Sequence, residues 1–187
     1  MNAISYRSPQ DVGCEPRILL SPGREVDVLR LDADDVEAHD LAHALAWQPF
    51  HAGLTQGFYS RAQHAIELAR RVAPRHRLAA LLRHAPAAYM GDMTRIRDLF
   101  PELRVFELRV QRAIHRRFGL VETLPPDVLE ALEMAEATVV AIEEADLFLP
   151  TAEAEEGPPR VGAPEIKPLS PDRAERAYRA FLEIEAR

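Results

Sequence analysis

Cysteine and long apolar runs are almost or entirely missing from this sequence. One cysteine, Cys14, stands in 187 residues, which excludes an intrachain disulfide framework and any cysteine-based zinc finger. No run of about 18 apolar residues occurs, and the start "MNAISYRSPQ" lacks the charged-then-apolar plan of a signal peptide. We therefore expect a cytoplasmic protein without a membrane partner, and a reducing compartment suits its cysteine content.

Lysine is replaced almost throughout by arginine. Of the 23 lysines and arginines only Lys167 is a lysine, and the formal net charge is -7. A negative chain without a basic block is not typical of a dedicated nucleic-acid surface, although its arginines can still form local sites for anions. With 47% hydrophobic and 28% charged residues, the composition is that of a soluble globular protein, and the length fits one domain.

Apolar residues recur at helical spacing from residue 31 onward and predict a helical bundle. The first helix should be capped by Asp32 or Asp34, and Pro86 should bend or end the third helix near Ala85. Before these helices, "RILLSP" and "EVDVLRL" alternate around a Pro-Gly, which favours a short β-hairpin or an extended arm.

These patterns predict an all-α fold, a single bundle of about six helices with an N-terminal hairpin or arm. The arm would span residues 1–30, the helical core 31–150, and a loop rich in proline and acid with a C-terminal helix packed on the core 151–187. Within the core we expect Trp47 and Tyr89 to be buried, and we expect the run "EEADL" to be a solvated helical face.

Three sequence blocks occur in an order that resembles a known family. They are "YSRAQHA", "LLRHAPAAYMGD" and "EATVVAIEEADL", and around them stand "HDLAHALA", "LRVQRAIHRRFGL" and "PLSPDRAERAYRAFLE". From about Arg24 onward the chain resembles the HD-domain metal-dependent phosphohydrolases, and among them the 5'-deoxynucleotidase-like branch. The resemblance implies an HD-domain-like bundle, a nucleotide or other phosphoester as ligand, and a homodimer.

The resemblance also implies a degenerate metal site. In that family histidines and aspartates hold a divalent metal, which lowers the pKa of a bound water so that hydroxide can attack phosphorus. Carried onto this sequence, the first metal histidine is His64. The His-Asp pair of the family falls on Arg83 and His84, and the glutamate that would orient the water falls on Ala87.

Other positions of the family pattern are kept or changed one by one. The last metal aspartate falls on Glu136, which reaches one carbon further, whereas the catalytic aspartate is kept as Asp92. An arginine expected to grip phosphate falls on or beside Phe50. Arg95 and Arg97, just beyond Asp92, are candidate substrate-binding residues because a guanidinium pairs well with phosphate.

Two interpretations of the centre stay open. A guanidinium cannot bind a metal, so Arg83 could pair with Glu136 in a salt bridge that takes the place of the ion, and no cofactor would bind. Alternatively, His64, His84 and Glu136, with Asp92 or His51 nearby, could hold one divalent ion if Arg83 points away. Mn, Co, Zn, Mg or Fe would be the candidate metals.

Three functional hypotheses result, and they differ on whether the protein is an enzyme. The first is a phosphohydrolase-like protein whose activity is impaired by these changes and which still binds a nucleotide or a partner. The second is an active metal-dependent nucleotide phosphohydrolase with a rebuilt site of histidines and a carboxylate. The third is a structural or assembly module that binds a partner through its last helix and the acidic segment before it.

Overall fold

The computed structural model describes residues 16–20, 23–93, 96, 99–148 and 166–187. Two short strands form a hairpin and precede a set of α-helices. The strands are β1 (Arg17–Leu20) and β2 (Arg24–Asp27), and the helices are α1 (Ala38–Trp47), α2 (Arg61–Ala69), α3 (Arg77–Leu82), α4 (Ala87–Met90), α5 (Pro101–Arg117), α6 (Pro126–Leu147) and α7 (Pro171–Glu185). The predicted, mostly helical bundle with a short N-terminal hairpin is confirmed. None of the described helices is both long and apolar enough to cross a bilayer.

The hairpin is antiparallel and tightly turned. Arg17 pairs with Asp27 and Leu20 with Arg24, and Gly23 closes the turn with a positive φ of 92°. A residue without a side chain adopts this conformation at no steric cost. The hairpin is anchored to the bundle by Arg24, whose guanidinium lies 2.6 Å from the buried carboxylate of Asp40 in α1.

Helix α1 begins later than the sequence suggests. Asp32 and Asp35 cap each other's backbone in a reciprocal capping box around a single 3-10 turn, Ala33–Asp35. Val36 then adopts extended angles, with φ of -93° and ψ of 120°, and interrupts the helix. The prediction that Asp32 or Asp34 caps α1 is therefore wrong, because the box satisfies its own turn and α1 starts at Ala38.

Helix α2 lies at the centre of the bundle. It contacts α1, α3, α6 and α7, and eight of its nine residues are buried. Its start is set by Ser60, whose hydroxyl accepts a hydrogen bond from the backbone N–H of Gln63 at 3.1 Å. As predicted, the next helix stops before Pro86, since α3 ends at Leu82 and α4 is a single turn beyond the proline.

Of the two aromatic residues predicted for the core, one is buried and the other is exposed. Tyr89 is buried, with 5% of its surface exposed, as expected. Trp47 is 52% exposed, so that prediction is wrong. Trp47 is the last residue of α1, and its ring lies near that of the exposed His43 along the helix surface, with centroids 6.0 Å apart. The spacing of α1 points its apolar stripe inward through Leu41 and Leu45 instead.

Helix α7 closes the bundle against α1, α2 and α3. Ala174, Tyr178 and Leu182, each four residues apart, form its buried stripe. The hydroxyl of Tyr178 donates a hydrogen bond to the carbonyl oxygen of Leu81 at 3.0 Å. The acidic, proline-rich segment predicted before this helix lies outside the described residues over 149–165.

We predict that Leu182→Ala destabilises the fold by about 2–5 kcal/mol, because it leaves a cavity in the bundle core. Leu182 is 1% exposed, whereas Ile184 in the same helix is 65% exposed. The matched control Ile184→Ala should change the free energy of unfolding by less than about 0.5 kcal/mol. Urea denaturation measures the free energy of unfolding of both variants. Equal losses in the two variants would contradict the packing of α7 through Leu182.

Candidate functional site

Two histidines and a carboxylate from three elements meet at one point inside the bundle. His64 comes from the first turn of α2, His84 from the turn after α3, and Glu136 from the middle of α6. One donor atom from each lies within 4.8 Å of the others. Such a set of imidazoles and a carboxylate is chemically able to bind a divalent transition metal.

Arg83 occupies the outer side of this cluster. Its Nε donates a hydrogen bond to Oε2 of Glu136 at 2.5 Å, while Nε2 of His84 lies 2.9 Å from Oε1 of the same carboxylate. Both oxygens of Glu136 thus have a close neighbour in the protein. The structure brings together all four residues singled out from the sequence at this point.

The ionisation of the cluster follows from burial and pairing. Burial would raise the pKa of Glu136, but its contacts with His84 and Arg83 lower it to about 2. Burial lowers the pKa of His84 to about 4. Near neutral pH the carboxylate of Glu136 is therefore ionised and the imidazole of His84 is neutral. The positive charge of the Arg83 guanidinium offsets the negative charge of Glu136.

A second carboxylate, Glu143, lies directly behind His64. It is fully buried, and its Oε1 accepts hydrogen bonds from Nδ1 of His64 at 2.7 Å and from the hydroxyl of Tyr59 at 2.5 Å. Its Oε2 accepts one from Nε2 of His51 at 2.7 Å. Burial would raise the pKa of Glu143, but the hydrogen bonds from His51 and His64 lower it to about 2.

The interpretation of "EEADL" as a solvated face is therefore wrong for its first and last residues, Glu143 and Leu147, which are both buried. Glu143 continues the buried stripe of α6, in which Val139, Glu143 and Leu147 follow one another at intervals of four. This spacing was present in the sequence and places Glu143 on the core side of the helix. A charged residue in such a stripe needs partners, and the three hydroxyl and ring donors provide them.

Glu143 decides how His64 is presented to the cluster. A carboxylate only accepts, so Nδ1 of His64 is the donor in this hydrogen bond and Nε2 takes no part in it. That Nε2 is buried and has no hydrogen-bond partner among the described residues. Metal-binding histidines are commonly oriented by a carboxylate in the same way.

Phe50 covers one face of His64. The two rings are stacked, with centroids 3.8 Å apart and planes 23° apart. The loop before α2 is held by the backbone N–H of Phe50, which donates to the carbonyl of Tyr59 at 2.8 Å. In the resemblance a phosphate-gripping arginine was expected here, and an apolar ring stands in its place.

The same loop carries two strained residues. His51 and Ala52 have positive φ values of 51° and 55°, a conformation that costs non-glycine residues free energy and persists only where the surroundings enforce it. The hydrogen bond from His51 to the buried Glu143 is the contact that this turn makes possible. The role of His51 was not evident from sequence spacing, because the loop conformation decides it.

Asp92 is paired with an arginine that the sequence did not single out. Nη2 of Arg61 is 2.9 Å from Oδ2 of Asp92, and Arg61 is only 2% exposed. Burial lowers the pKa of Arg61, while Asp92 raises it. The two predicted substrate-binding residues, Arg95 and Arg97, lie outside the described residues.

A cleft of about 470 Å³ opens over the cluster. Its walls come from the turn around α4 and from the facing sides of α5 and α6, and its charged lining residues are Arg61, Arg83, Arg104, Glu107, Glu133 and Glu136. Cations and anions thus balance in the lining. Volumes of this size are typical of small-molecule sites in proteins.

Two uncharacterized proteins are similar in sequence to this chain. No family model matches it. The uncharacterized protein RCAP_rcc00048 of Rhodobacter capsulatus is 38% identical over 144 residues, which cover 71% of this chain and 73% of that protein. The chain belongs to the same family as the Rhodobacter capsulatus protein. The uncharacterized protein YfdR of Escherichia coli is 29% identical over 161 residues, covering 82% of this chain and 85% of its own.

We predict that Glu143→Gln destabilises the protein by about 2–4 kcal/mol. The amide keeps one acceptor oxygen, so at least one buried donor among Tyr59, His51 and His64 loses its partner. Glu144, the exposed neighbour in the same helix, gives the matched control Glu144→Gln, with an expected change below about 0.5 kcal/mol. Guanidinium denaturation at neutral pH tests the pair, and similar values for both variants would contradict the buried role of Glu143.

The loss of folding stability at acidic pH should depend on the same carboxylate. Because the pKa of Glu143 falls from 4.5 to about 2 on folding, its contribution is full above about pH 4.5 and is lost as the pH falls towards 2. The free energy of unfolding should therefore drop more steeply over this window in the wild type than in Glu143→Gln. Denaturation midpoints from pH 7 to pH 2.5 measure the slopes, and parallel curves would refute this assignment.

Proposed function

We propose that the protein is an HD-domain phosphohydrolase-like protein that has lost hydrolysis and still binds a nucleotide or another phosphoester in its cleft. The observation that carries this proposal is the guanidinium of Arg83 on Glu136, inside the only cluster of potential metal ligands in the described residues. The salt bridge links α6 to the end of α3, as a shared metal would.

Electrostatics opposes a metal beside this guanidinium. Two like unit charges about 4 Å apart repel by ~1 kcal/mol in water and about 4 kcal/mol at an effective dielectric constant of 20, and a dication doubles these values. Arg83 also neutralises the one carboxylate of the cluster, which would otherwise attract the ion. A guanidinium cannot replace the metal in chemistry, because it does not coordinate water and lower its pKa.

The side chains that would handle the attacking water are also missing or engaged. Ala87 has no carboxylate where the family has a water-orienting glutamate. Asp92 is already engaged in an ion pair with Arg61. His84, with its pKa lowered to about 4, is a poor proton acceptor for a general base near pH 7.

Binding is supported by what the cleft retains. Arg83 and Arg104 line it, and guanidinium groups recognise phosphate through paired N–H donors. The carboxylates in the lining would disfavour a highly charged polyphosphate and favour a ligand with a single phosphate group. The homodimer implied by the resemblance stays a prediction, and Val105 and Leu108 on α5, 59% and 48% exposed, are apolar surface that a second copy could cover.

One observation favours a second candidate, an active metal-dependent phosphohydrolase. Nε2 of His64 is buried without a hydrogen-bond partner among the described residues, and it converges with His84 and Glu136. This donor set fits one divalent ion of the Mn, Co, Zn or Fe kind better than Mg. The ion would polarise a phosphoester and supply a hydroxide, and Arg83 would have to leave Glu136 for it to bind.

The decisive experiment restores the family pattern. The triple variant Arg83→His, His84→Asp, Ala87→Glu should bind a stoichiometric divalent metal and release phosphate from deoxynucleoside monophosphates in the presence of manganese, cobalt or zinc. The wild type should do neither. Adding His64→Ala to the triple variant should abolish the gained activity, because the first metal ligand is then missing.

The opposite result in the wild type would favour the second candidate. If wild-type protein releases phosphate with added metal and loses this activity in His64→Ala, hydrolysis has not been lost. Metal analysis after soaking and dialysis separates the two outcomes independently of any chosen substrate.

A further inference from the structure

A second cavity adjoins the cleft and has a different character. It measures about 260 Å³ and lies between α3, α5 and the start of α6. We name it the apolar chamber, defined by Ala79, Leu124 and Leu132, with Leu108 and Leu129 at its boundary with the cleft. Both leucines line both cavities, so the two spaces adjoin one another at these side chains.

Two polar side chains that line the apolar chamber, those of Gln111 and His115, are already engaged by the protein. Nε2 of Gln111 donates to the carbonyl of Leu82 at 3.0 Å. The ring of His115 is bonded through Nδ1 to the carbonyl of Val121 at 3.0 Å, and burial lowers its pKa. An apolar group entering the chamber would therefore displace water from leucine side chains without removing the partners of these buried polar groups.

Arg83 stands on the boundary of the two cavities. It lines both of them, and its side chain is 23% exposed. Among the described residues, its side chain donates one hydrogen bond, from Nε to Glu136. The two terminal nitrogens of the guanidinium are thus able to donate to an anion that lies at this boundary.

We infer that cleft and chamber together form a bipartite site for an amphipathic anion. Its anionic group, a sulfonate, carboxylate or phosphate monoester, pairs with Arg83, and its apolar ring occupies the apolar chamber. Leu108 and Leu129 contact the ring where it passes from one space to the other. The inference rests on the proposed function in one respect, namely that Arg83 and no metal occupies the centre.

The ring should contribute more to affinity than the anionic group alone. A bare oxyanion in the cleft faces Glu107, Glu133 and Glu136 as well as the arginines, so its attraction is largely offset. An aromatic ring gains from burial of apolar surface, which these charges do not oppose. Hydrophilic phosphoesters such as sugar phosphates should bind poorly for the same reason.

The test uses metal-free protein in the presence of a chelator and three probes: 1-naphthalenesulfonate, inorganic sulfate and the neutral 1-naphthalenemethanol. Calorimetric titration should show naphthalenesulfonate binding at least about tenfold more tightly than either other probe. Equal affinity for naphthalenesulfonate and sulfate would overturn the inference, and so would absence of binding of all three. Aryl phosphate and aryl carboxylate in place of the sulfonate then identify which anionic group Arg83 prefers.

Variants assign the two halves of the site. Leu124→Glu places a negative charge in the apolar chamber and should weaken both naphthalene probes at least about tenfold. Arg83→Gln should weaken the sulfonate about ten- to a hundredfold, as expected for the loss of a charged hydrogen bond, and the neutral probe less than threefold. The matched control Leu54→Glu changes a leucine that is 65% exposed and lines neither cavity, and it should leave all affinities unchanged.

Folding of each variant is checked by thermal unfolding. If Leu124→Glu fails to fold, Leu124→Ala removes part of the chamber wall and should weaken the naphthalene probes about threefold or more without affecting sulfate. Equal responses of the Leu124 and Leu54 variants would place the ring elsewhere and overturn the inference. Release of phosphate by the wild type with metal would overturn the proposed function alone, because the probe titrations are made without metal.

Discussion

A carboxylate without access to solvent, Glu143, is the group on which the centre of this molecule depends. It takes hydrogen bonds from a helix, through His64, and from a strained loop, through His51, and so ties both to α6. Ionised carboxylates are costly to bury, and only this complete set of donors makes the position tolerable. In return, Glu143 fixes the orientation of the His64 ring, and with it the geometry of the cluster in front of that ring.

In front of His64, the opposite charges of Glu136 and Arg83 offset each other. Glu136 pairs with Arg83 and lies beside a neutral His84, so the cluster is held together by its own side chains. The same guanidinium borders the cleft and the apolar chamber. We propose that this guanidinium both disfavours a metal and donates to an anionic ligand, because both effects come from its positive charge.

Much of the fold was predictable because it depends on local patterns. Apolar periodicity indicated the helical bundle, Pro86 indicated the break after α3, and alternation indicated the hairpin. The errors came where a local rule was satisfied in a different way: Asp32 caps a separate 3-10 turn, and Trp47 lies on the exposed side at the end of α1. At the site, the resemblance of the blocks to a known family led us to expect His64, His84 and Glu136 near one another, and the structure brings them together.

The sequence by itself determined the helical class, the order of the blocks and the residue types available at the centre, because these depend on spacing along single helices. Only the tertiary structure decided which of those residues touch. It placed Glu143 behind His64 and buried Arg61 against Asp92, and it opened an apolar chamber beside Arg83. These contacts depend on how separate helices and a strained loop pack together, and no period within one segment encodes the distance between two others.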